Sequence, residues 1–152
     1  MVGIGQGSDG DMRLPPGTKE IRGPDISGVR YPHRDITEKI IGCAISVHRE
    51  LKGGFVEGIY ENALVHELTK AGLRVQSQKS LPVYYDGKCV GEHRADLIVE
   101  GKVAVELKAV SELTDQHVSQ LMSTMLAADV RVGLLMNFRQ GRLVDGVRRI
   151  IM

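Results

Sequence analysis

The sequence predicts an α/β domain in which helices cover a mixed sheet, and three patterns carry that prediction. Apolar residues recur at helical spacing over 35–71, and the period falls to two over 74–110, broken by Asp86-Gly87 and Glu100-Gly101. A third helical stretch then leads to an almost wholly apolar run at 131–138, of the kind buried on both faces of a sheet. A helix joining two strands of one sheet makes a parallel crossover, expected to be right-handed. The expected order is α-α-β-β-β-α-β-β, with no internal repeat.

Residues 1–34 stand apart, with seven Gly, four Pro and no sustained period. They read as a flexible N-terminal extension to a domain at 35–152. Asp35-Ile36-Thr37-Glu38 has the form of a capping box, and Ile36, Ile40, Ala44, Val47 and Leu51 continue it as a helix that Gly53-Gly54 ends. A second helix should run from near Val56 to about Ala71, its stripe containing Ile59 or Tyr60, Ala63, Leu64 and Leu68, with Gly72 as terminal cap. The strand at 74–85 tolerates Pro82 only at an edge or a bulge. Asp86-Gly87 is a hairpin signal, and 88–99 makes the next strand, bent near Gly91. Glu100-Gly101 turns into a strand ending at Ala109 or Val110, which completes an antiparallel meander. Thr114 can cap a helix that turns Val118, Leu121, Met122, Met125 and Leu126 toward the sheet. The last segment, 142–152, alternates weakly and reads as an added edge strand.

Composition narrows the function classes. A chain of 152 residues with 42% hydrophobic residues can bury one core. With four Tyr, two Phe and no Trp, a base-stacking platform for single strands is disfavoured. A net charge of +1 gives no global basic field, so contact with phosphate must come from a local patch or a metal. Cys43 and Cys89 lack zinc-ligand spacing and read as reduced thiols. No apolar run reaches the length of a membrane span and no signal-peptide core opens the chain. The expected location is cytoplasmic, with no membrane partner.

Within the 94–108 hairpin three charges need explaining. Ala104, Glu106 and Lys108 share one face of their strand, opposite Val103, Val105 and Leu107. A three-residue loop at 100–102 sets Asp96 opposite Glu106; a two-residue loop makes the pair diagonal. Two carboxylates about 5 Å apart repel by roughly 3 kcal/mol at an effective dielectric near 20. A hard divalent cation is the obvious occupant of such a gap. On spacing alone the set is also open to reading as an ordinary salt-bridge network. The apolar residues Ala95, Leu97, Ile98 and Ala109 around it disfavour full solvation, and buried carboxylates require a cation or hydrogen-bond partners. Glu57 adds a carboxylate in the first turn of the second helix, where capping alone would also explain an acid.

Several motifs in order resemble the bacterial GxxExxY proteins, a branch of the PD-(D/E)XK nuclease superfamily. They are Gly54-x-x-Glu57-x-x-Tyr60, the Val47-His48…Leu51 segment, Arg94-Ala95-Asp96 with Val105-Glu106-Leu107-Lys108-Ala109-Val110, His117 with Gln120, and the strand at 131–138. The resemblance covers about 35–150 and implies a restriction-endonuclease-like αβββαβ core, with a mixed central sheet flanked by helices. It also implies a metal-dependent phosphodiesterase. Asp96, Glu106 and the Leu107 backbone carbonyl would hold Mg²⁺, with Mn²⁺ as substitute, and Lys108 would position water or stabilise charge on the phosphate. Glu57 would hold a metal water or a second ion, and Gln120 would orient groups from the following helix.

Three departures are visible: Ala95 replaces proline, Lys52-Gly53-Gly54 replaces a favoured Gly-Pro-Gly, and Thr124 stands where many relatives have tyrosine. The last keeps open a second reading, a catalytically degenerate module that binds nucleic acid or a protein partner. His48, His93 and His117 read as packing or surface histidines before ligands. Arg142, Arg148 and Arg149, with Arg94 nearer the hairpin, are candidate phosphate contacts, the alternative being a solvated edge. DNA is favoured over RNA as the partner. No segment resembles a base-reading element, so sequence specificity would need a homodimer or a protein partner.

Overall fold

The structure, a computed structural model, describes residues 18–22 and 31–152. The elements are β1 (Lys19–Arg22), α1 (Arg34–Leu51), α2 (Glu57–Lys70), β2 (Val75–Tyr85), β3 (Lys88–Val99) and β4 (Val103–Lys108). There follow α3 (Asp115–Ala128), β5 (Val132–Asn137), a 3₁₀ turn at Leu143–Gly146, and β6 (Val147–Ile151). One sheet takes the order β1-β6-β5-β4-β3-β2. β2, β3 and β4 form the expected antiparallel meander, and α3 carries the chain to β5, parallel to β4.

The sheet separates two apolar cores. Under α1 and α2, Ile40, Ile41, Tyr60, Leu64 and Leu68 meet Leu97, Val103, Val105, Leu107, Leu134 and Met136. Under α3, Val118, Leu121 and Met125 meet Ala104, Ile98, Leu135, Leu81 and Ala95. β5 is buried along its whole length, which accounts for its unbroken apolar sequence. Gly133 lets α3 settle on β5, because an added Cβ there would lie 2.6 Å from Met125 Sδ.

The structure departs from the expectations at four places. Residues 19–22, inside the stretch read as a flexible extension, form β1 and pair with β6; residues 1–17 and 23–30 lie outside the described residues. β6 is therefore an inner strand, flanked by β5 and β1, and not an edge. α1 starts one residue before Asp35, behind His33 in a left-handed conformation with no side-chain cap, so Asp35 is a first-turn acid and no capping box forms. α3 buries Val118, Leu121, Thr124 and Met125, while Met122 and Leu126 are exposed. Thr124 takes a core position because a partner on β3 satisfies its hydroxyl.

Candidate active site

The site lies at a fork in the sheet. β3 pairs with β4 over three residues only: Val99 with Val103, Ile98 with Ala104, and Leu97 with Val105. Beyond that point β3 stays with β2 while β4 stays with β5. Asp96 and Glu106 are the next residues on the two branches, so they stand opposite one another where pairing stops. This is the register expected for a three-residue turn at 100–102; Glu100 and Gly101 take positive φ there, 55° and 63°.

Each polar group of the fork has a definite orientation. Asp96 Oδ2 accepts from the Leu107 N–H at 3.0 Å, standing where a ladder carbonyl would otherwise lie. The Lys108 carbonyl accepts from Phe138 N at 2.8 Å on the β5 side. Alternation along the strand then turns the Leu107 carbonyl toward the fork. Glu106 is only 8% exposed, and its Oε2 is buried without a hydrogen-bond partner. Burial, and then the Asp96 charge, push the Glu106 carboxyl up to about 7, against the pull of Lys108. Lys108 is half-buried and has no carboxylate within ion-pair distance among the described residues.

Glu57 reaches the fork from the first turn of α2. It is half-buried, and desolvation followed by the Asp96 charge raises its pKa, with Lys108 opposing. The loop before it is fixed tightly. Lys52 has φ 60° and ψ −161°, a conformation close to glycine-only. The Tyr60 hydroxyl, on a fully buried side chain, donates to the Lys52 carbonyl at 2.5 Å and accepts from Phe55 N at 3.0 Å. Its ring stacks on Phe138 with centroids 4.8 Å apart. Gly53 lies against the end of β5, where a Cβ would sit 3.2 Å from the Arg139 carbonyl oxygen. Tyr60 thus ties the Glu57 helix to the residue whose N–H holds the Lys108 carbonyl. One acid escaped the sequence reading. Glu61, one turn after Glu57, accepts from Gln78 Nε2 at 2.7 Å, and its charge helps raise both Glu57 and Glu106. The i,i+4 spacing from Glu57 was the available signal.

The structure brings Asp96, Glu106, Leu107, Lys108 and Glu57 together, but not the remaining candidates. The Gln120 side chain is exposed; its backbone carbonyl accepts from Thr124. Thr124 gives its proton to that carbonyl at 3.1 Å, so His93 donates to Thr124 Oγ1 through Nε2 at 2.7 Å. Thr124 thereby anchors α3 to β3. His117 completes a capping box with Thr114, and His48 donates to the Gln140 carbonyl at 2.7 Å. Arg149 is a correction: it is fully buried, donating to the Pro32 carbonyl at 2.6 Å beside the Tyr31 ring, and offers no surface to phosphate. Arg142 is exposed and 3.7 Å from Asp145, Arg148 is half-buried against the Leu113 carbonyl, and Arg94 is exposed on β3.

A family model of the PD-(D/E)XK nuclease superfamily matches residues 34–150, and the chain belongs to that superfamily. No curated protein and no solved structure matches it. Membership carries nuclease-like function, nucleic acid as the class of partner, and the divalent metal ions that these nucleases generally use. No helix among the described residues is long and apolar enough to cross a membrane.

Proposed function

We propose that this chain is a Mg²⁺-dependent nuclease of the GxxExxY branch that hydrolyses phosphodiester bonds, with DNA as the favoured substrate. The observation that carries the reading is the buried, unpartnered Glu106 oxygen facing Asp96 at the fork. A carboxylate buried in this way calls for a cation, a donor or a proton of its own. Glu106, the second Asp96 oxygen and the Leu107 carbonyl fit a hard divalent ion. Among the described residues no three His, Cys, Asp or Glu side chains form a ready-made cage. Mg²⁺ takes one or two carboxylates and fills its other positions with water and phosphate. When bound, the ion would polarise the phosphate and lower the pKa of a water.

The chain's own groups would do the rest. The Lys108 ammonium, which has no paired carboxylate among the described residues, would neutralise charge building on the phosphate oxygens. Glu57 would hold a metal-bound water or a second ion. The test is cleavage of plasmid, linear, single-stranded and RNA substrates with Mg²⁺ or Mn²⁺. Wild type should cut and Lys108→Ala should not; no cutting of any substrate, or equal cutting by the variant, defeats the proposal.

The exposure of Gln120 and the burial of Thr124 favour one second reading, a degenerate nuclease-like module that binds nucleic acid or a protein partner. Calorimetric titration with Mn²⁺ separates the two. A catalytic site binds the ion and loses it in Asp96→Asn, whereas a degenerate module shows no such ion site.

A further inference from the structure

We propose that Gln78 is a positioning residue of the fork: its left-handed backbone resets the pleat of the β2–β3 ribbon and turns Asp96 toward β4. This goes beyond the nuclease reading and rests on it only for the identity of the site being positioned.

Gln78 lies in the middle of β2 with φ 52°, a conformation that an L-residue keeps only where its surroundings hold it. In the β2–β3 ladder Ser77 pairs with Leu97 and Lys79 with Ala95, while the step between them, Gln78 opposite Asp96, is skipped. The side chains change faces at that step. Leu97 and Val99 belong to the core under α1 and α2, yet Ala95 belongs to the core under α3, and His93 bonds Thr124 of α3. On β2, Val75 packs against the α1/α2 core and Ser77 bonds Glu61 of α2 at 3.4 Å, yet Leu81 faces α3. Residues two apart in a regular strand share a face. Both strands therefore reverse at one shared step while their register is kept.

The reversal has a consequence for the neighbouring strand. Had the β3–β4 ladder continued in register, Ala95 would face Leu107 and occupy its N–H and carbonyl. Instead β3 leaves β4 at this point, and the Asp96 carboxylate takes the Leu107 N–H at 3.0 Å. The Leu107 carbonyl is left facing the fork. Irregularities of this kind re-aim side chains beside active sites. The Gln78 amide holds the kink from outside by donating to Glu61 Oε1 at 2.7 Å. Because Glu61 lies one turn from Glu57, the same bond ties the kink to the helix that brings the third carboxylate.

β2 is also the outermost strand on its side of the sheet, and kinks protect such strands from pairing with other chains. The experiment must separate that role from positioning. Gln78→Gly accepts positive φ at no steric cost, whereas the β-branched Gln78→Val resists it. In the full-length, metal-free protein, exchange of the Leu107 amide is followed by NMR; in parallel, Mn²⁺ affinity is measured by calorimetry. Gln78→Gly should keep Leu107 protected and the ion bound. Gln78→Val should expose the Leu107 amide and weaken Mn²⁺ binding by about tenfold, the usual cost of losing a group that orients a ligand.

Unchanged Leu107 protection in Gln78→Val, with or without new oligomers, overturns the proposal and leaves strand protection as the explanation. Should that variant not fold, Gln78→Ala, which disfavours positive φ without added bulk, is read in the same two ways. If wild type binds no Mn²⁺ while Leu107 exchange still follows the backbone preference at position 78, the nuclease reading falls and the positioning role stands.

Discussion

At the scale of single residues, the decisive group is Glu106. Its carboxyl is raised to about 7 in the folded chain, against a reference value of 4.5. The fold therefore holds this proton more tightly than the unfolded chain does. Stability is fully present below the unfolded value and is lost as pH rises from there to about 7, then stays level. The loss is on the order of 3 kcal/mol, because each unit between the two values corresponds to about 1.4 kcal/mol. Glu57, raised by burial and Asp96, shifts the profile in the same direction. In metal-free protein, Tm should fall between pH 5 and pH 8, and Glu106→Gln should flatten that fall and raise Tm at pH 8 by roughly 5–10 °C. Scanning calorimetry in EDTA measures both; a wild-type Tm that is level across this range contradicts the buried, proton-holding carboxyl.

At the scale of elements, the loop into α2 converts sequence into site geometry. Tyr60→Phe removes one donor to the Lys52 carbonyl and one acceptor for Phe55 N. Urea unfolding should show a loss of about 1–3 kcal/mol, the cost of unpaired buried polar groups. Cleavage should fall as well, since Glu57 stands at the end of the released loop; stability and cleavage both at wild-type levels would mean that the clamp does not place α2. Glu57 and Tyr60 were legible through the Gly54-x-x-Glu57-x-x-Tyr60 spacing at the start of a helix. The Asp96–Glu106 pairing was legible because a turn fixes register by counting. Other features were set by partners that the local sequence does not display. β1 is four residues long and is a strand because β6 pairs with it. The α3 stripe shifted because Thr124, polar on paper, is satisfied by His93 from β3. The reversal at Gln78 was hidden because a polar run such as Ser77-Gln78-Lys79-Ser80 gives no apolar marker of a change of face.

At the scale of the whole molecule, charge decides how a polyanion could approach. The chain carries a formal net charge of +1, so no long-range field draws nucleic acid in. Around the fork the balance is worse: Glu57, Glu61, Asp96 and Glu106 act on one another, with Lys108 the cation opposing them. Arg149 adds nothing, being buried on the far side of the sheet order beside Pro32. A phosphate entering this region meets repulsion until a cation offsets the carboxylates. Binding of a fluorescent DNA duplex, followed by anisotropy, should therefore be weak in EDTA and strengthen at least about tenfold with Ca²⁺, an oxygen-seeking ion that also takes carboxylate ligands. The doubly neutralised Asp96→Asn/Glu106→Gln protein should behave oppositely, binding DNA in EDTA better than wild type and gaining little from Ca²⁺. Equal affinity of wild type with and without the ion would place nucleic acid elsewhere on the surface. Ion dependence that persists in the double variant would place the ion elsewhere, and the fork would then be a structural charge network.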